Sequence, residues 1–341
     1  MLRDTIFRGA SMTKPLVAVA ALQMAEEGRI QLWEPVATYL PELAQVKVGV
    51  EVTAADGARS LELVPQVRPM TIQDLLRHTA GFTYPTFGST LVHAAYRRAD
   101  VAAMQQTNAD MVRKFSELPL LFQPGSTFEY GMSLDVMGRV LEVVDGRDLD
   151  AVLEARILGP LGMRDSGFAL PAEKRDRLAE GDPSPLVPRD AIFDPDHQPR
   201  WYAGGSGILT TGPDYLRFAN ALLFGGSFDG VRILSRKSVE HMTSNHLPPG
   251  CNYGPFTRAL GITAPLPEYG QGFGLGVNVR LEPGRNPNPG SVGDFAWSGV
   301  LGTYFWIDPI ERLVVILMIQ APEQRVHYRA LLRDLVYAAL N

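Results

Sequence analysis

Cysteine is nearly absent from this sequence. Its 341 residues include one, Cys251, so no disulfide can form within the chain and no site with several thiolate ligands can be built. Because small secreted domains commonly depend on disulfides, the composition gives no support for an oxidising compartment. We therefore expect a cytoplasmic location.

Long hydrophobic runs are also missing. The longest, residues 16–22 and 313–319, have seven residues each, far fewer than the roughly 18 that a transmembrane helix needs. The segment before Lys14 has no apolar stretch followed by a small-residue cleavage site, so it is not typical of a signal peptide. The sequence predicts neither a membrane span nor a secretory leader.

Neither sign of charge dominates. Lysine and arginine total 32 and aspartate and glutamate 37, a formal net charge of −5, and no stretch is basic enough to attract a phosphate backbone. Nucleic acid is therefore not an expected partner. With 45% hydrophobic and 20% charged residues, the composition is that of a globular protein, and the length predicts two domains or one large one.

Several common catalytic and cofactor motifs are absent. The sequence contains no G-x-S-x-G, no G-x-x-x-x-G-K-[ST] and no H-E-x-x-H. The glycines at 272, 274 and 276 lack the later glycine of a dinucleotide-binding loop and fall where a strand is expected. We expect no cofactor and no metal ion.

The N-terminal part of the chain is predicted to contain several helices. A helix is predicted over residues 11–27, with Pro15 in its first turn and Gly28 at its end. Because residues 16–22 make every face of this helix apolar, it is predicted to lie at the centre of the protein. A second helix over 71–77 opens with a Thr-x-x-Asp capping pattern, and a third over 133–144 ends at Asp145-Gly146.

The last seventy or so residues change to strands. Strands are predicted over 272–280, 300–307 and 313–319, the last one buried on both faces. A final helix over 323–340 is predicted to cover this sheet with an apolar side formed by Val326, Leu332, Leu335, Val336 and Ala339. The fold class is α+β, antiparallel at its C-terminal end.

One pair of residues indicates chemistry, Ser11 and Lys14 at the start of the first helix. Three positions apart on a helix, they share a face, so the amine can reach the hydroxyl. Burial or a nearby positive field lowers the pKa of a lysine toward neutrality, which allows it to act as a base for serine. By itself the S-x-x-K pattern also fits a capping serine beside a solvated lysine.

The surrounding segment, DTIFRGASMTKP (4–15), resembles the active-site segment of the serine β-lactamase-like superfamily, and especially of the family VIII carboxylesterases. Further segments match in the same order along the chain: LLRHTAGF (75–82), PGSTFEY (124–130) with DVMG (135–138), LGMRDSGF (161–168), GGSGILTT (204–211) and WSGVLGTYFWID (297–308). The resemblance spans nearly the whole chain.

The resemblance implies a fold and a set of catalytic residues. The fold would be β-lactamase/transpeptidase-like, an antiparallel sheet flanked by helices together with a mostly helical domain. Ser11 would be acylated, and Lys14 and Tyr130 would act as the general base and acid. The backbone amides of Ser11 and Val300 would form the oxyanion hole.

The resemblance also implies a substrate pocket, formed by Met132, Trp297, Ser298 and Gly299. Class C β-lactamases carry an asparagine where this chain has Met132 and a lysine where it has Trp297. Without that amide and that cation, an uncharged ester is favoured over a β-lactam, and Trp297-Ser-Gly299 matches the W-x-G form of the esterases. The expected partner is a small-molecule ester.

Three alternatives stay open. Within the fold they are a penicillin-recognising enzyme, either a β-lactamase or a D-Ala-D-Ala carboxypeptidase, and a transacylase that passes the acyl group to an alcohol. From a different class, the chain could be a catalytically inactive binding protein that keeps the fold. The oligomeric state cannot be predicted from the sequence.

The resemblance further suggests how the chain is divided. Residues 1–32 and 265–341 are expected to form the α/β domain, and residues 33–264 the mostly helical domain. Relatives of this fold place a helix and the first strands of the sheet before the nucleophile, whereas ten residues precede Ser11 here. We therefore expect those leading elements to be missing.

Overall fold

The computed structural model describes residues 1–182, 184, 194 and 199–340. The helices are α1 (Thr13–Glu26), α2 (Ile72–Leu76), α3 (Leu91–Arg98), α4 (Asn108–Ser116), α5 (Ser133–Asp145), α6 (Leu149–Leu153), α7 (Gly212–Leu223), α8 (Arg236–Met242) and α9 (Arg325–Ala338). The strands are β1 (Phe7–Arg8), β2 (Val48–Thr53), β3 (Arg59–Val64), β4 (Thr127–Phe128), β5 (Leu209–Thr210), β6 (Ser227–Phe228), β7 (Val231–Arg232), β8 (Asn252–Tyr253), β9 (Gln271–Phe273), β10 (Asn278–Arg280), β11 (Phe295–Ser298), β12 (Gly302–Asp308) and β13 (Leu313–Gln320).

A five-stranded antiparallel sheet organises the C-terminal part of the chain. Its order is β13-β12-β11-β10-β9, so consecutive strands are neighbours throughout. β11 and β12 pair from Phe295 opposite Ile307 to Ser298 opposite Tyr304, which places their connecting turn at residues 299–301. The predicted α+β class and the antiparallel sheet flanked by helices are confirmed.

The central helix is α1. Residues 16–21 have no exposed surface, and the helix contacts α5 and α6. A helix that is apolar on every face is stable only when other elements surround it. The predicted central position is therefore confirmed.

Two further helices match their predicted ends. Thr71 caps α2, because its side chain accepts from the Asp74 amide while the Asp74 carboxylate accepts from the Thr71 amide. α5 stops at Gly146, whose φ of 83° is the left-handed conformation that glycine adopts without steric cost. Local capping chemistry was sufficient to predict both.

The single strand predicted over 272–280 is wrong. The structure has two strands there, β9 and β10, which pair with each other as a hairpin. Gly276 has a φ of 80°, and the Gly274 amide donates to the Val277 carbonyl, so the chain turns between them. The glycines that weaken a strand also make this reversal possible.

The prediction that residues 313–319 are buried on both faces is also wrong. β13 lies at the edge of the five-stranded sheet with β12 as its one neighbour in that sheet, and each of these seven residues is partly exposed. An edge strand can be as apolar as a central strand, so composition alone does not distinguish them.

The face that α9 presents to the sheet is the predicted one in part, because Leu332 and Val336 pack against the buried rings of Tyr304 and Trp306. The residues that α9 buries are Arg329 and Arg333, while Val326 and Leu335 are exposed. The sheet surface beneath offers hydrogen-bond acceptors, among them the Tyr304 hydroxyl, which accepts from Arg333 (2.9 Å). α9 therefore covers the sheet with two buried arginines together with two partly buried residues of the predicted apolar side.

The division into domains stays a prediction. α7, which belongs to the segment assigned to the helical domain, packs against β12 and β13. No helix in the part of the chain that the structure describes has the length and apolar character needed to cross a bilayer.

Candidate active site

The turn that carries Ser11 has a constrained backbone. A 3₁₀ turn, Ala10–Met12, precedes α1, and Ala10 has a φ of 48°, in the left-handed region that residues other than glycine rarely adopt. The Thr13 hydroxyl donates to the Ala10 carbonyl (2.7 Å) and accepts from the Ile208 amide (3.0 Å). The predicted helix start at Ser11 is therefore corrected to Thr13, and Ser11 lies in the turn ahead of α1.

Lys14 lies directly against Ser11. Its Nζ donates to Ser11 Oγ (3.0 Å), to the Gly205 carbonyl (2.7 Å) and to the Tyr84 hydroxyl (3.1 Å). The lysine is 0% exposed and Ser11 is 8% exposed, so the pair is shielded from water except on the serine side. The three-residue spacing thus brings the amine to the hydroxyl as the sequence predicts.

Gly205 links the lysine to a buried carboxylate. Its carbonyl accepts from Lys14, and its amide donates to Asp135 Oδ1 (2.9 Å). A Cβ atom at position 205 would lie 2.3 Å from Asp135 Oδ2 and 2.8 Å from the Tyr84 hydroxyl, closer than real Cβ atoms approach. Asp135, Tyr84 and Gly205 therefore form a tightly fitted surround for the lysine amine.

Sequence reasoning missed Tyr84 and Asp135 as neighbours of Lys14. Burial raises the pKa of Asp135 to about 6, and the positive charge of Lys14 opposes that rise. Burial, followed by the charge of Asp135, raises the pKa of Tyr84, so the phenol keeps its proton at neutral pH. Asp135 could have been identified because it lies within segment 135–138, which matches the superfamily. Tyr84 lies two residues beyond the matching segment 75–82, so the resemblance did not include it.

Tyr130 approaches the lysine with its ring. Lys14 Nζ lies 4.6 Å from the centroid of the Tyr130 ring, and no hydrogen bond joins the Tyr130 hydroxyl to the amine. Tyr130 is 5% exposed. The structure thus brings Tyr130 to the predicted site, while the hydroxyl bonded to Lys14 is that of Tyr84.

The turn between β11 and β12 packs against the turn that carries Ser11. The Thr303 hydroxyl donates to the Gly9 carbonyl (3.0 Å). A Cβ atom at Gly299 would lie 2.2 Å from Thr303 Oγ1 and 2.4 Å from the Gly9 carbonyl oxygen, so only glycine fits. Val300 follows in the same turn. The two segments whose amides were predicted to form the oxyanion hole are therefore adjacent.

Aromatic rings surround the site. Trp297 in β11 is 1% exposed and lies edge-on to Tyr130, with centroids 5.2 Å apart. Phe87 is stacked on Phe256 and lies 6.2 Å from Tyr130. Met132 is fully buried ahead of α5. This environment suits an apolar group better than a charged one.

Ser298, the remaining residue of the predicted pocket, is partly exposed at the end of β11. No three histidine, cysteine, aspartate or glutamate side chains within residues 1–182, 184, 194 and 199–340 come together as they would to hold a metal ion.

Glu129 is a buried carboxyl beside Tyr130 in the chain. Its Oε1 accepts from the Thr83 hydroxyl (2.7 Å), and its Oε2 has no partner among the residues that the structure describes. Burial raises its pKa from 4.5 to about 7, with the Thr83 hydrogen bond opposing the rise. In the unfolded chain the group ionises at lower pH, so stability is lost as the pH rises between these two pKa values.

Glu129→Gln is therefore expected to stabilise the protein at about pH 8, because glutamine keeps the acceptor for Thr83 and carries no charge. The gain in the free energy of unfolding is up to about 3 kcal/mol, from a pKa difference of about 2.5 units. Denaturant unfolding of both proteins near pH 8 and near pH 4.5 measures it. Equal stabilisation at both pH values would contradict the assignment to ionisation.

Comparisons with known proteins extend over nearly the whole chain. A family model described as Beta-lactamase matches residues 1–338. Esterase EstB of Burkholderia gladioli is 30% identical over 363 aligned residues, which cover 99% of this chain and 83% of EstB. Lovastatin esterase of Penicillium rubens is 32% identical over 338 residues, which cover 93% of this chain and 80% of that esterase. Among solved structures, EstCE1, described as a hydrolase with promiscuous acyltransferase activity, aligns with a TM-score of 0.78 at 26% identity. The alignment covers 99% of this chain and 86% of EstCE1.

Proposed function

This chain belongs to the beta-lactamase family, and on that premise we propose that it is a carboxylesterase that acts through an acyl-enzyme on Ser11. The broader enzyme class, a serine hydrolase or acyltransferase, follows from its esterase and acyltransferase relatives. The observation that supports an acyl-enzyme on Ser11 is the position of the buried Lys14 amine, 3.0 Å from Ser11 Oγ.

The first half of the reaction forms the acyl-enzyme. Lys14 in its neutral form accepts the proton of Ser11 Oγ while the oxygen attacks the ester carbonyl carbon. The carbonyl oxygen becomes an oxyanion, which the amides of Ser11 and Val300 stabilise by hydrogen bonds. The tetrahedral intermediate then collapses, the alkoxide leaves, and it takes up a proton from the base pair as the free alcohol.

The second half returns the enzyme to its starting state. Water loses a proton to the same base and attacks the acyl carbon, and the intermediate releases the carboxylic acid as Ser11 Oγ recovers its proton. Tyr130 is the proposed partner of Lys14 in these transfers, since its ring lies against the amine. Tyr84 and Asp135 hold that amine toward Ser11 through the contacts that surround Gly205.

The proposed substrates are uncharged esters with a short acyl chain. The rings of Tyr130, Trp297 and Phe87 line this region, and the lysine and asparagine of class C β-lactamases are replaced by Trp297 and Met132. A β-lactam carboxylate would therefore meet no cation at position 297.

A substrate panel tests the proposal. The kcat/KM for p-nitrophenyl acetate and p-nitrophenyl butyrate is expected to exceed that for nitrocefin, measured in parallel on the same enzyme preparation. Added alcohol separates hydrolysis from transfer, because a transferase forms a new ester that chromatography detects. Nitrocefin turnover faster than that of both esters would replace the esterase proposal with a penicillin-recognising enzyme.

A further inference from the structure

The turn at residues 299–301 is closed by two backbone hydrogen bonds. The Gly299 amide donates to the Thr303 carbonyl (2.8 Å), and the Gly302 amide donates to the Gly299 carbonyl (2.9 Å). The Val300 amide donates to no acceptor among the residues that the structure describes. Its N–H is therefore free to bind an external oxygen.

Arg329 in α9 reaches the back of this turn. Its Nη2 donates to the Gly299 carbonyl and also to the Thr303 carbonyl (3.2 Å), so one guanidinium joins both sides of the turn. The residue is 5% exposed, and its guanidinium carbon lies 6.0 Å from the centroid of the Tyr304 ring.

This arginine is a buried cation without an acidic partner. No carboxylate of the described residues forms an ion pair with it, whereas Arg333, one helical turn later, pairs with Asp294. Burial, followed by repulsion from Arg325, lowers the pKa of Arg329 to about 9, so the group is still charged at neutral pH. Such a charge is costly to bury, and backbone carbonyls take the place of a counter-ion here.

The Gly299 carbonyl and the Val300 amide belong to the same peptide group. In a trans peptide the C=O and N–H bonds point in opposite directions, so a cation bound at the oxygen lies behind the N–H. Hydrogen bonds in a chain polarise one another, and a charged donor strengthens the effect. A peptide polarised in this way donates more strongly from its N–H.

We propose that Arg329 is a positioning residue for the oxyanion hole, which fixes the turn and polarises the peptide that presents the Val300 amide to the developing oxyanion. The inference rests on the proposed function, because the role of Val300 is part of that proposal. It assigns to α9, an element far from Ser11 in the sequence, an effect on transition-state stabilisation that acts through the turn at residues 299–301.

The test compares Arg329→Met with Arg333→Met, a control that also removes a buried arginine from α9. Arg333 donates to Asp294, Tyr304 and the Pro289 carbonyl and does not touch the turn. Rates are measured on a p-nitrophenyl ester and on its thionoester, whose C=S becomes a weakly accepting thiolate. Each is normalised to the Ser11 sites that an organophosphonate labels, so unfolded protein does not enter the rate.

Arg329→Met is expected to lower kcat for the oxygen ester about tenfold with little change in KM, a part of what one oxyanion donor contributes. The thionoester should lose much less, and Arg333→Met should retain its kcat on both substrates whatever its stability. Arg329→Lys, which keeps the charge, should recover most of the rate. Should the methionine variant not fold, the ratio of the two substrates in Arg329→Lys decides the question, with a larger loss on the oxygen ester expected.

Equal losses on the oxygen ester and the thionoester, in whichever Arg329 variant folds, would overturn the inference and leave Arg329 a structural residue. An unchanged kcat in a folded Arg329→Met variant would overturn the inference as well. Failure of the proposed function looks different, because the wild-type protein would then show no phosphonate adduct on Ser11 and no ester turnover that depends on that serine.

Discussion

Ser11→Ala is expected to abolish ester hydrolysis, with kcat/KM for p-nitrophenyl acetate lower by at least about 10⁴-fold. The reason is the loss of the hydroxyl that would be acylated; among the described residues Lys14 Nζ donates to two hydroxyls, those of Ser11 and Tyr84. The wild-type protein should gain the mass of one phosphonyl group on incubation with a p-nitrophenyl phosphonate, and the variant should not. Steady-state kinetics and intact-protein mass spectrometry measure the two effects.

Ser133→Ala is a matched control for this variant. Ser133 is also a buried serine, at the first position of α5, and its hydroxyl has no hydrogen-bond partner among the described residues. It should keep both the hydrolysis and the phosphonate adduct. Wild-type hydrolysis by Ser11→Ala would refute the acyl-enzyme, and an adduct that maps to another serine would relocate it.

Lys14→Met is expected to lower kcat by about 10³-fold, because Ser11 then has no amine to accept its proton. Methionine fills the buried volume without a charge, so circular dichroism should show a folded protein. Lys114→Met is the control, since Lys114 also donates to a carbonyl, that of Asp100, but lies on α4. A Lys14→Met variant that turns over esters at the wild-type rate would exclude the lysine as the base.

Two phenylalanine variants test which tyrosine, Tyr130 or Tyr84, takes part in proton transfer with Lys14. Tyr130→Phe keeps the ring against the amine and removes the hydroxyl, so a role in proton transfer predicts a loss of about 100-fold in kcat. Tyr84→Phe removes the hydrogen bond that holds the amine, for which about tenfold is expected. The reverse order of the two losses would transfer the proton-transfer role to Tyr84.

Features that depend on local sequence were predictable. The S-x-x-K spacing brought Lys14 to Ser11 because neighbouring turns of a chain place residues three apart together. The Thr71 cap of α2 and the glycine at the end of α5 follow from hydrogen bonding and backbone conformation within a few residues. The resemblance then placed Tyr130 and Trp297 at the same site.

Features that depend on the surroundings of an element were not predictable from the sequence. Tyr84 is 70 residues from Lys14, and no spacing rule connects them. The burial of Arg329 and Arg333 on α9 depends on which acceptors the sheet offers beneath that helix, and these belong to other strands. Periodicity predicted that Leu332 and Val336 face the sheet, but it does not show that two arginines are buried with them.

The contact between the two turns of the site spans almost the whole sequence, since the Gly9 carbonyl accepts from Thr303, 294 residues later. A ribosome delivers the chain from its N-terminus, so the serine turn emerges well before the strands and the helix that complete it. A nascent chain therefore carries Ser11 and Lys14 before the β11–β12 turn that packs against the serine turn has been made. If the proposed oxyanion hole is correct, ester cleavage is expected only after the β11–β12 turn has been synthesised and has packed against the serine turn.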